Sequence, residues 1–146
     1  KIGYVTSDLI KDLEEILGCN KLTPAVLVGA GKLGRALLDY NGFEEYGVQI
    51  AAAFDCNEQI LRFNKTSKDI LPINQLKPFC KEHEIKIGII TVGSGSAQSV
   101  CDAMLEAGIT AIWNFAPCRL TVPGDVLVKQ ENLALSLAYL NSQISK

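Results

Sequence analysis

Three glycines at fixed spacing constrain the fold of this chain more than any other feature. Gly29, Gly31 and Gly34 follow the unbroken apolar run 25–28 and precede a segment with helical periodicity that extends to about Tyr40. In a strand-to-helix turn of this kind, the first glycine permits the tight turn and the second lets the backbone approach a pyrophosphate. The third lets the helix pack closely on the strand. The free N–H groups at the start of the helix also attract phosphate, so the spacing predicts a dinucleotide-binding turn.

An acidic residue follows at the distance that such a turn requires. Asp55 lies 21 residues beyond Gly34, at the end of the second apolar run, 48–54. A carboxylate there accepts hydrogen bonds from the ribose diol of an adenosine and repels a 2′-phosphate. The glycine spacing and Asp55 together therefore favour NAD(H) over NADP(H) as the ligand. The alternative is a turn whose glycines serve only the backbone, with Asp55 as a solvated loop acid.

Further residues are predicted to contact the dinucleotide because they occupy the glycine turn or the carboxyl ends of later strands. They are Ala30, Lys32 and Leu33 in the turn, Thr91, Val92 and Gly93 in a later βα turn, and Asn114 and Phe115 at the end of the following strand. Some of them have a second interpretation. The turn that contains Gly93 either lets the backbone approach a ribose or nicotinamide or is an ordinary flexible turn. Lys32 either contacts the pyrophosphate or is an exposed lysine, and Phe115 either flanks a nicotinamide ring or belongs to the core.

The rest of the chain alternates between short apolar runs and helical patterns, which is typical of a doubly wound α/β fold with a parallel sheet. Runs without polar alternation suit strands that are covered on both faces. The predicted strands are 25–28, 48–54, 85–92, 109–115 and 126–129. The predicted helical segments after the first are 58–63, 73–84 (disturbed by Pro78), 96–107 and 131–144.

The two ends of the chain have helical patterns of their own. Residues 1–20 are predicted to be a linker helix, because Leu9, Ile10, Leu13, Ile16 and Leu17 lie on one face and Gly18 suits the helix end. Residues 21–130 form the predicted Rossmann domain. Residues 131–146 form a helix that is apolar nearly all round, which needs cover on several sides. We expect a second subunit to supply that cover, by exchange of the helix between protomers; the alternative is burial within its own chain.

Composition excludes several functional classes. The chain has 146 residues and a net charge of −2, so it suits one domain and lacks the basic surplus with which a domain grips nucleic acid. No apolar run approaches the roughly 20 residues of a membrane span, and no signal peptide is recognisable, so a cytoplasmic location is expected.

Catalytic and metal-binding residues are also not indicated. The five cysteines are widely spaced and never form a C-x-x-C pair, which argues against zinc and against a disulfide framework. The single histidine, His83, precedes a strand and so lies at the wrong end of the sheet for hydride transfer. No Tyr-x-x-x-Lys pair occurs, and no substrate domain follows. A dehydrogenase is therefore disfavoured.

The motifs together resemble the Rex-type redox-sensing repressors. The similarity covers most of residues 1–144, in order. It is carried by Gly29–Leu38, Ala52–Asp55, Thr91–Val92, Ala97–Gln98, Ala107–Ile109, Asn114–Pro117, Val122–Pro123 and Asn132–Ala134.

This resemblance implies a homodimer that binds NADH and NAD⁺ competitively. It implies that a winged-helix domain, if one precedes this chain in the full protein, binds operator DNA and is released by NADH. It also implies that Leu133, on an exchanged last helix, lies near the partner's nicotinamide.

The chain departs from the family pattern at three positions. Gly93 stands where the family has proline, Lys32 where it has asparagine, and Asn132 where it has an aspartate that couples the nicotinamide to domain movement. The resemblance therefore implies binding more strongly than switching. The alternative function is an accessory NAD(H)- or coenzyme A-binding Rossmann domain of a larger redox enzyme or complex. Coenzyme A would not need the acid at Asp55.

Overall fold

The computed structural model of the chain describes residues 22–40, 42–57, 60–61, 70–131 and 133–145. The predicted linker helix over residues 1–20 lies outside this part. The strands are β1 (Thr23–Val28), β2 (Val48–Asp55), β3 (Ile70–Pro72), β4 (Ile87–Ile90), β5 (Ala111–Asn114) and β6 (Leu127–Gln130). The helices are α1 (Lys32–Asp39), α2 (Leu76–Glu82), α3 (Ser94–Glu106) and α4 (Leu133–Ile144), with short 3₁₀ helices at Gly42–Tyr46 and Ile73–Gln75.

The six strands form one parallel sheet in the order β3-β2-β1-β4-β5-β6. The strand order reverses between β1 and β4, and ligands of such sheets bind outside the carboxyl ends of the strands at this switch point. Val28, the last residue of β1, pairs with Phe54 on one side and Ile90 on the other. The predicted doubly wound α/β fold is confirmed.

Both faces of the central strands are buried, which explains why their sequences show no polar alternation. One face, here called the α1 face, packs Leu27, Leu38 and Ile89 into a small core. The opposite face packs Phe54 and Met104 into a larger core with α2 and α3. The run 25–28 is almost fully inaccessible to solvent because it lies between these two cores.

Several element boundaries differ from the sequence predictions. The strand predicted over 85–92 extends only over Ile87–Ile90, and the helix predicted over 73–84 is a 3₁₀ turn followed by α2. Pro78 lies in the first turn of α2, where a missing N–H breaks no helical hydrogen bond. Helix α3 begins at Ser94, two residues earlier than predicted. Of the turn predicted over 58–63, residues 60 and 61 are described, and both are helical.

Strand β3 was missed by the sequence analysis. Its three residues, Ile70–Pro72, are too few to show any periodicity, and the proline argues against a strand. It is tolerated because β3 is the outermost strand of the sheet and pairs only with β2. None of the helices in the described residues is long and apolar enough to cross a membrane.

Candidate functional site

The first and third glycines of the turn are required by the fold itself. Gly29 has a φ of +108°, and a Cβ there would lie 2.8 Å from the carbonyl carbon of Thr91 and from Cγ1 of Val92. A Cβ on Gly34 would overlap the carbonyl oxygen of Gly29 and lie 2.9 Å from Thr91 Oγ1. At both positions the contacts include backbone atoms, of Thr91 for Gly29 and of Gly29 for Gly34, which cannot turn aside as a flexible side chain can. The turn therefore brings β1, β4 and α1 together more closely than any side chain would permit.

The second glycine has a different surrounding. A Cβ on Gly31 would meet no atom within 4 Å, so the space above this residue is open. Gly31 is the N-cap of α1, no side chain caps the helix, and its first turn contains no acidic residue. The first backbone bond of the helix is donated by Arg35 N to Gly31 O at 2.9 Å. The free N–H groups at the helix start can therefore donate hydrogen bonds to an anionic group that approaches the backbone closely.

Asp55 lies at the carboxyl end of β2, beside this turn. Its Oδ2 accepts a hydrogen bond from Ala30 N at 2.7 Å, and its Oδ1 accepts one from Asn57 N at 2.8 Å. The half-buried carboxylate is therefore held in a fixed orientation against the glycine turn. Each carboxylate oxygen has a further lone pair for a hydroxyl donor. The position of Asp55 at this edge was predicted from the sequence, but its hydrogen bond from Ala30 N was not.

The βα turn after β4 is connected to the glycine turn. Thr91 Oγ1 lies 2.5 Å from Gly29 O and 3.1 Å from Val28 O, so its one hydrogen is donated to the carbonyls of the neighbouring turn. Val92 packs partly into the larger core. Gly93 is exposed, caps α3 with extended backbone, and a Cβ there would meet no atom within 4 Å. Two of the three predicted residues therefore support the turn, and Gly93 leaves open space beside it.

Asn114 and Phe115 lie at the end of β5. Asn114 is 0% exposed. Its Nδ2 donates to Gln130 Oε1 at 2.8 Å and to Cys118 O at 3.1 Å, and its Oδ1 accepts from Ala116 N at 3.0 Å. The side chain of Asn114 is thus occupied within the chain. The ring of Phe115 is half-buried beside Trp113, with 4.6 Å between the ring centroids.

The remaining predicted residues lie further out. Lys32 and Leu33 are exposed on the first turn of α1. Leu133 is the first residue of α4, and its side chain lies outside the described part of the structure. The structure therefore brings together the glycine turn, Asp55, Thr91 and Gly93. It leaves the side chain of Leu133 unplaced.

Two glutamines that the sequence analysis did not include in the site hold the loop after β5. Gln130 Nε2 donates to Ala116 O at 2.8 Å. Gln98 binds both backbone groups of Thr121: its Oε1 accepts from the N–H at 2.8 Å and its Nε2 donates to the carbonyl at 3.0 Å. The carboxamide of Gln98 thus pairs with the donor and the acceptor of one residue, and side-chain bonds hold this connection where a helix usually joins two parallel strands. No sequence signal marks such pairs, because their partners are backbone groups.

Of the other reactive groups in the described residues, exposed Cys56 follows Asp55 directly, whereas Cys80, Cys101 and His83 lie away from this edge. No group of three metal-binding side chains occurs among the described residues. Burial raises the pKa of the Cys80 thiol to about 11, and burial followed by the neighbouring charge of Asp102 raises the pKa of Cys101. His83 is exposed at the end of α2, 4.0 Å from Glu82. These groups do not supply a proton donor at the predicted nicotinamide side.

Fold and site together define a nucleotide-binding domain of the Rossmann type. Residues 20–118 match a family model described as a CoA binding domain. A curated relative from Clostridium botulinum, named redox-sensing transcriptional repressor Rex, is 39% identical over 142 residues, which is 97% of this chain and 68% of the relative. The chain belongs to the Rex family of redox-sensing transcriptional repressors.

Solved structures agree with this assignment. RSP, a Rex-family repressor crystallised with β-NAD⁺ and operator DNA, has a TM-score of 0.85 and 32% identity; the match covers 94% of this chain and 64% of RSP. The same repressor with β-NADH has a TM-score of 0.83, covering 94% of this chain and 67% of RSP. The chain thus spans about two thirds of the length of these relatives. The resemblance is confirmed, and the relatives are named as repressors, in agreement with the expectation that the chain is not an enzyme.

Proposed function

We propose that this chain is the NADH/NAD⁺-sensing regulatory domain of a Rex-like repressor. The observation that carries the proposal is the Asp55 carboxylate, fixed against the glycine turn by its 2.7 Å bond from Ala30 N, beside the open space over Gly31. A ribose diol fits the remaining lone pairs of Asp55, and a pyrophosphate fits the uncapped start of α1. The RSP structures with β-NAD⁺ and β-NADH support the same ligand class.

The proposed dinucleotide site contains residues from the carboxyl ends of four strands and from the start of α4. It comprises Gly29, Ala30, Gly31, Lys32, Leu33, Gly34, Asp55, Thr91, Val92, Gly93, Asn114, Phe115 and, from a second subunit, Leu133. In this proposal Gly29, Gly34, Thr91 and the Asn114 side chain contribute by shaping the turns, because their side-chain contacts or positions are already used within the chain. No catalytic residue and no metal are included.

The proposed domain organisation follows the sequence: residues 1–20 as linker helix, 21–130 as Rossmann domain and 131–146 as dimerisation helix. A sensor requires NADH and NAD⁺ to bind with different free energies, since equal affinities shift no equilibrium. DNA binding belongs to this proposal only through a winged-helix domain in the full protein, as the RSP complex with operator DNA suggests. A repressor of this kind acts in the cytoplasm.

The test is a calorimetric titration with NADH, NAD⁺, NADPH and coenzyme A. We expect NADH to bind more tightly than NAD⁺ and both to bind more tightly than NADPH. Asp55→Ala removes a charged acceptor and should weaken NADH binding by about 1.5–3 kcal/mol, or roughly ten- to a hundredfold. Asp39→Ala, at an exposed carboxylate at the end of α1, is the matched control and should bind as the parent does.

The second candidate is a coenzyme A-binding domain, favoured by the family model that matches residues 20–118. Coenzyme A has a 3′-phosphate in place of a free ribose diol, so a carboxylate at Asp55 does not favour it. Tight binding of coenzyme A that survives Asp55→Ala would establish this function and contradict redox sensing. Similar affinities for NADH and NAD⁺ would leave a cofactor-binding domain without a redox response.

A homodimer is the second part of the proposal. Helix α4 follows β6 after two residues. Its large apolar side chains from residue 136 onward, where burial is described, are exposed: Leu137 at 68% and Ile144 at 83%, with Tyr139 and Leu140 between them. A helix of 12 residues is marginal in water without packing partners. We infer that the helix packs on a second copy of the chain, in an exchanged arrangement.

The dimer is tested by the mass of the particle in solution. Leu137→Asp combined with Leu140→Asp should convert a dimer into a monomer in sedimentation equilibrium, because two charges would enter the apolar contact. Asn141→Asp, an exposed polar position on the same helix, is the control and should leave the dimer intact. A parent chain that sediments as a monomer at all concentrations would contradict the proposal.

A further inference from the structure

Phe115 lies on the side of the glycine turn that the second half of a bound dinucleotide reaches. In the proposed site, Asp55 at the end of β2 marks the adenosine side, so the nicotinamide half extends across β1 toward the ends of β4 and β5. Phe115 directly follows β5, and its N–H donates to Ile90 O at 2.9 Å, which joins its backbone to the end of β4. The direction of its ring therefore depends on the side chains that contact the ring.

Trp113 is the aromatic neighbour of the Phe115 ring. Side chains alternate between the two faces of a strand, so Trp113 and Phe115, two residues apart, both pack against the core of the α1 face. The centroids of their rings are 4.6 Å apart, and the ring planes form an angle of 56°. The indole also meets the ring of Phe43 edge to face, with 5.8 Å between the centroids. The position of the indole therefore limits the directions that the Phe115 ring can take.

A polar contact holds the indole from β6. Nε1 of Trp113 donates a hydrogen bond to Oε1 of Glu131 at 3.3 Å. Glu131 directly follows β6, its side chain is half-buried, and its N–H donates to Asn114 O at 2.9 Å. Trp113 pairs with Lys129 across the sheet, so Glu131 occupies the diagonal position two residues further along, which a large side chain can reach. The backbone of Glu131 is thus fixed, and its carboxylate holds the indole.

The carboxylate of Glu131 is not engaged in a salt bridge within the part of the chain that the structure describes. Its acceptor capacity is therefore directed to the indole N–H, which can only donate. A hydrogen bond to an ionised acceptor is stronger than one to a neutral group, and the N–H of a tryptophan needs a partner when its ring is partly buried. The contact thus selects one orientation of the indole of Trp113.

We propose that Glu131 and Trp113 are positioning residues for the nicotinamide half of the dinucleotide. In the site proposed above, on which this assignment rests, Glu131 fixes the indole of Trp113. The indole in turn fixes the ring of Phe115, which then presents a constant aromatic surface to the nicotinamide. The glycine turn and Asp55 contact the other half of the dinucleotide. Loss of the Glu131 contact therefore weakens binding of the nicotinamide half alone.

The experiment titrates the 146-residue chain in a calorimeter with NADH and with ADP-ribose, which has the adenosine, the pyrophosphate and the second ribose but no nicotinamide. Glu131→Ala should weaken NADH binding about three- to tenfold, because an aromatic contact loses its fixed geometry. It should leave ADP-ribose binding unchanged. Glu131→Gln removes the charge but keeps the oxygen acceptor, and should bind NADH nearly as the parent does. Glu106→Ala, at an exposed carboxylate at the end of α3, is the matched control and should change neither affinity.

A double variant tests whether the effect passes through Phe115. In a Phe115→Leu background the ring that Glu131 positions is absent, so Glu131→Ala should weaken NADH binding no further. A full additional loss in this background overturns the proposed route.

The other outcomes separate the positioning role from the proposed function. Equal losses of NADH and ADP-ribose affinity in Glu131→Ala mean that Glu131 serves the fold in general, and unchanged NADH affinity means that the contact is idle; both overturn the role. A loss in Glu131→Gln as large as in Glu131→Ala assigns the effect to charge and overturns it too. A parent chain that binds neither ligand contradicts the dinucleotide site itself. Far-UV circular dichroism checks folding, and if Glu131→Ala does not fold, Trp113→Phe, which removes the donor and keeps an aromatic ring, carries the same comparison.

Discussion

The centre of the sheet and its β6 end differ sharply in how far their side chains are occupied by contacts within the chain. At the nucleotide edge, formed by the glycine turn, Asp55 and Thr91, backbone and side chains satisfy one another within 3.1 Å. At the open end, formed by β6 and α4, every described side chain is exposed. The first region is therefore held in shape by contacts within the chain, whereas the described side chains of the second are left exposed.

The largest effect is expected inside the nucleotide edge. Gly34→Ala should lower the free energy of unfolding by about 3 kcal/mol, because its Cβ would overlap the Gly29 carbonyl in a place where backbone cannot move. The direction of the change in unfolding free energy is informative. Alanine ordinarily stabilises a helix by about 1 kcal/mol relative to glycine, so a loss of stability must come from the overlap. Urea unfolding of the variant measures the change. A variant as stable as the parent would show that the turn is looser than described.

Gly31→Ala is the matched comparison within the same turn. Its Cβ meets no protein atom, so the free energy of unfolding should change by less than about 1 kcal/mol. NADH binding should nevertheless weaken at least about tenfold, because the methyl group occupies the space that the pyrophosphate needs. Calorimetry and urea unfolding on one preparation separate the two effects. Equal effects of both alanines on stability would contradict the division between structural and binding glycines.

The next largest loss of stability is expected at the end of β5, where Asn114 contacts Gln130 of β6. Asn114→Ala should cost about 2–3 kcal/mol of stability, because it leaves the buried Ala116 N–H and the carbonyl of Cys118 without their partner. Gln130→Ala removes one partner from the same network at a more exposed position and should cost about 1 kcal/mol. Thermal or urea unfolding measures both. A larger loss for Gln130 than for Asn114 would place the centre of the network in β6.

A smaller effect is expected from the hydroxyl that connects β4 with the glycine turn. Thr91→Val keeps the shape of the side chain and removes its donation to Gly29 O, so about 1 kcal/mol of stability should be lost. Thr110→Val, at an exposed position before β5, is the control and should be close to neutral. Both are measured by urea unfolding. If the two threonines behave alike, the hydroxyl bond contributes nothing measurable.

The effect that is smallest near neutral pH, and that appears only in alkaline solution, concerns the buried core of α2 and α3. Because burial raises the pKa of Cys80 to about 11 from an ordinary value of 9.0, the folded chain holds this proton more tightly than the unfolded chain. The stabilisation is fully present below pH 9 and is lost as the pH rises toward 11. Unfolding midpoints between pH 8 and 11 should fall more steeply in the parent than in Cys80→Ala. Parallel curves would show that the thiol is accessible.

The sequence was sufficient to predict the glycine turn and the position of Asp55, and insufficient to predict strand β3 and the carboxamide contacts, for a physical reason. The glycines and Asp55 have roles fixed by backbone geometry, so spacing alone predicted the turn and the side of the sheet. The three-residue strand Ile70–Pro72 carries no periodicity and was missed. The carboxamide contacts of Gln98 and Gln130 join backbone groups distant in sequence, and only the fold brings them together.

Gln130 gives the open end a mechanical connection to the nucleotide edge. It is the last residue of β6, only two residues before α4, and its amide holds both Asn114 and the carbonyl of Ala116. The N–H of Glu131, the next residue toward α4, donates to Asn114 O at 2.9 Å, so the backbone is bonded to the end of β5 beside the side-chain contacts of Gln130. A displacement of α4 is therefore expected to reach the loop after β5, which begins with Phe115 and Ala116, through these bonds.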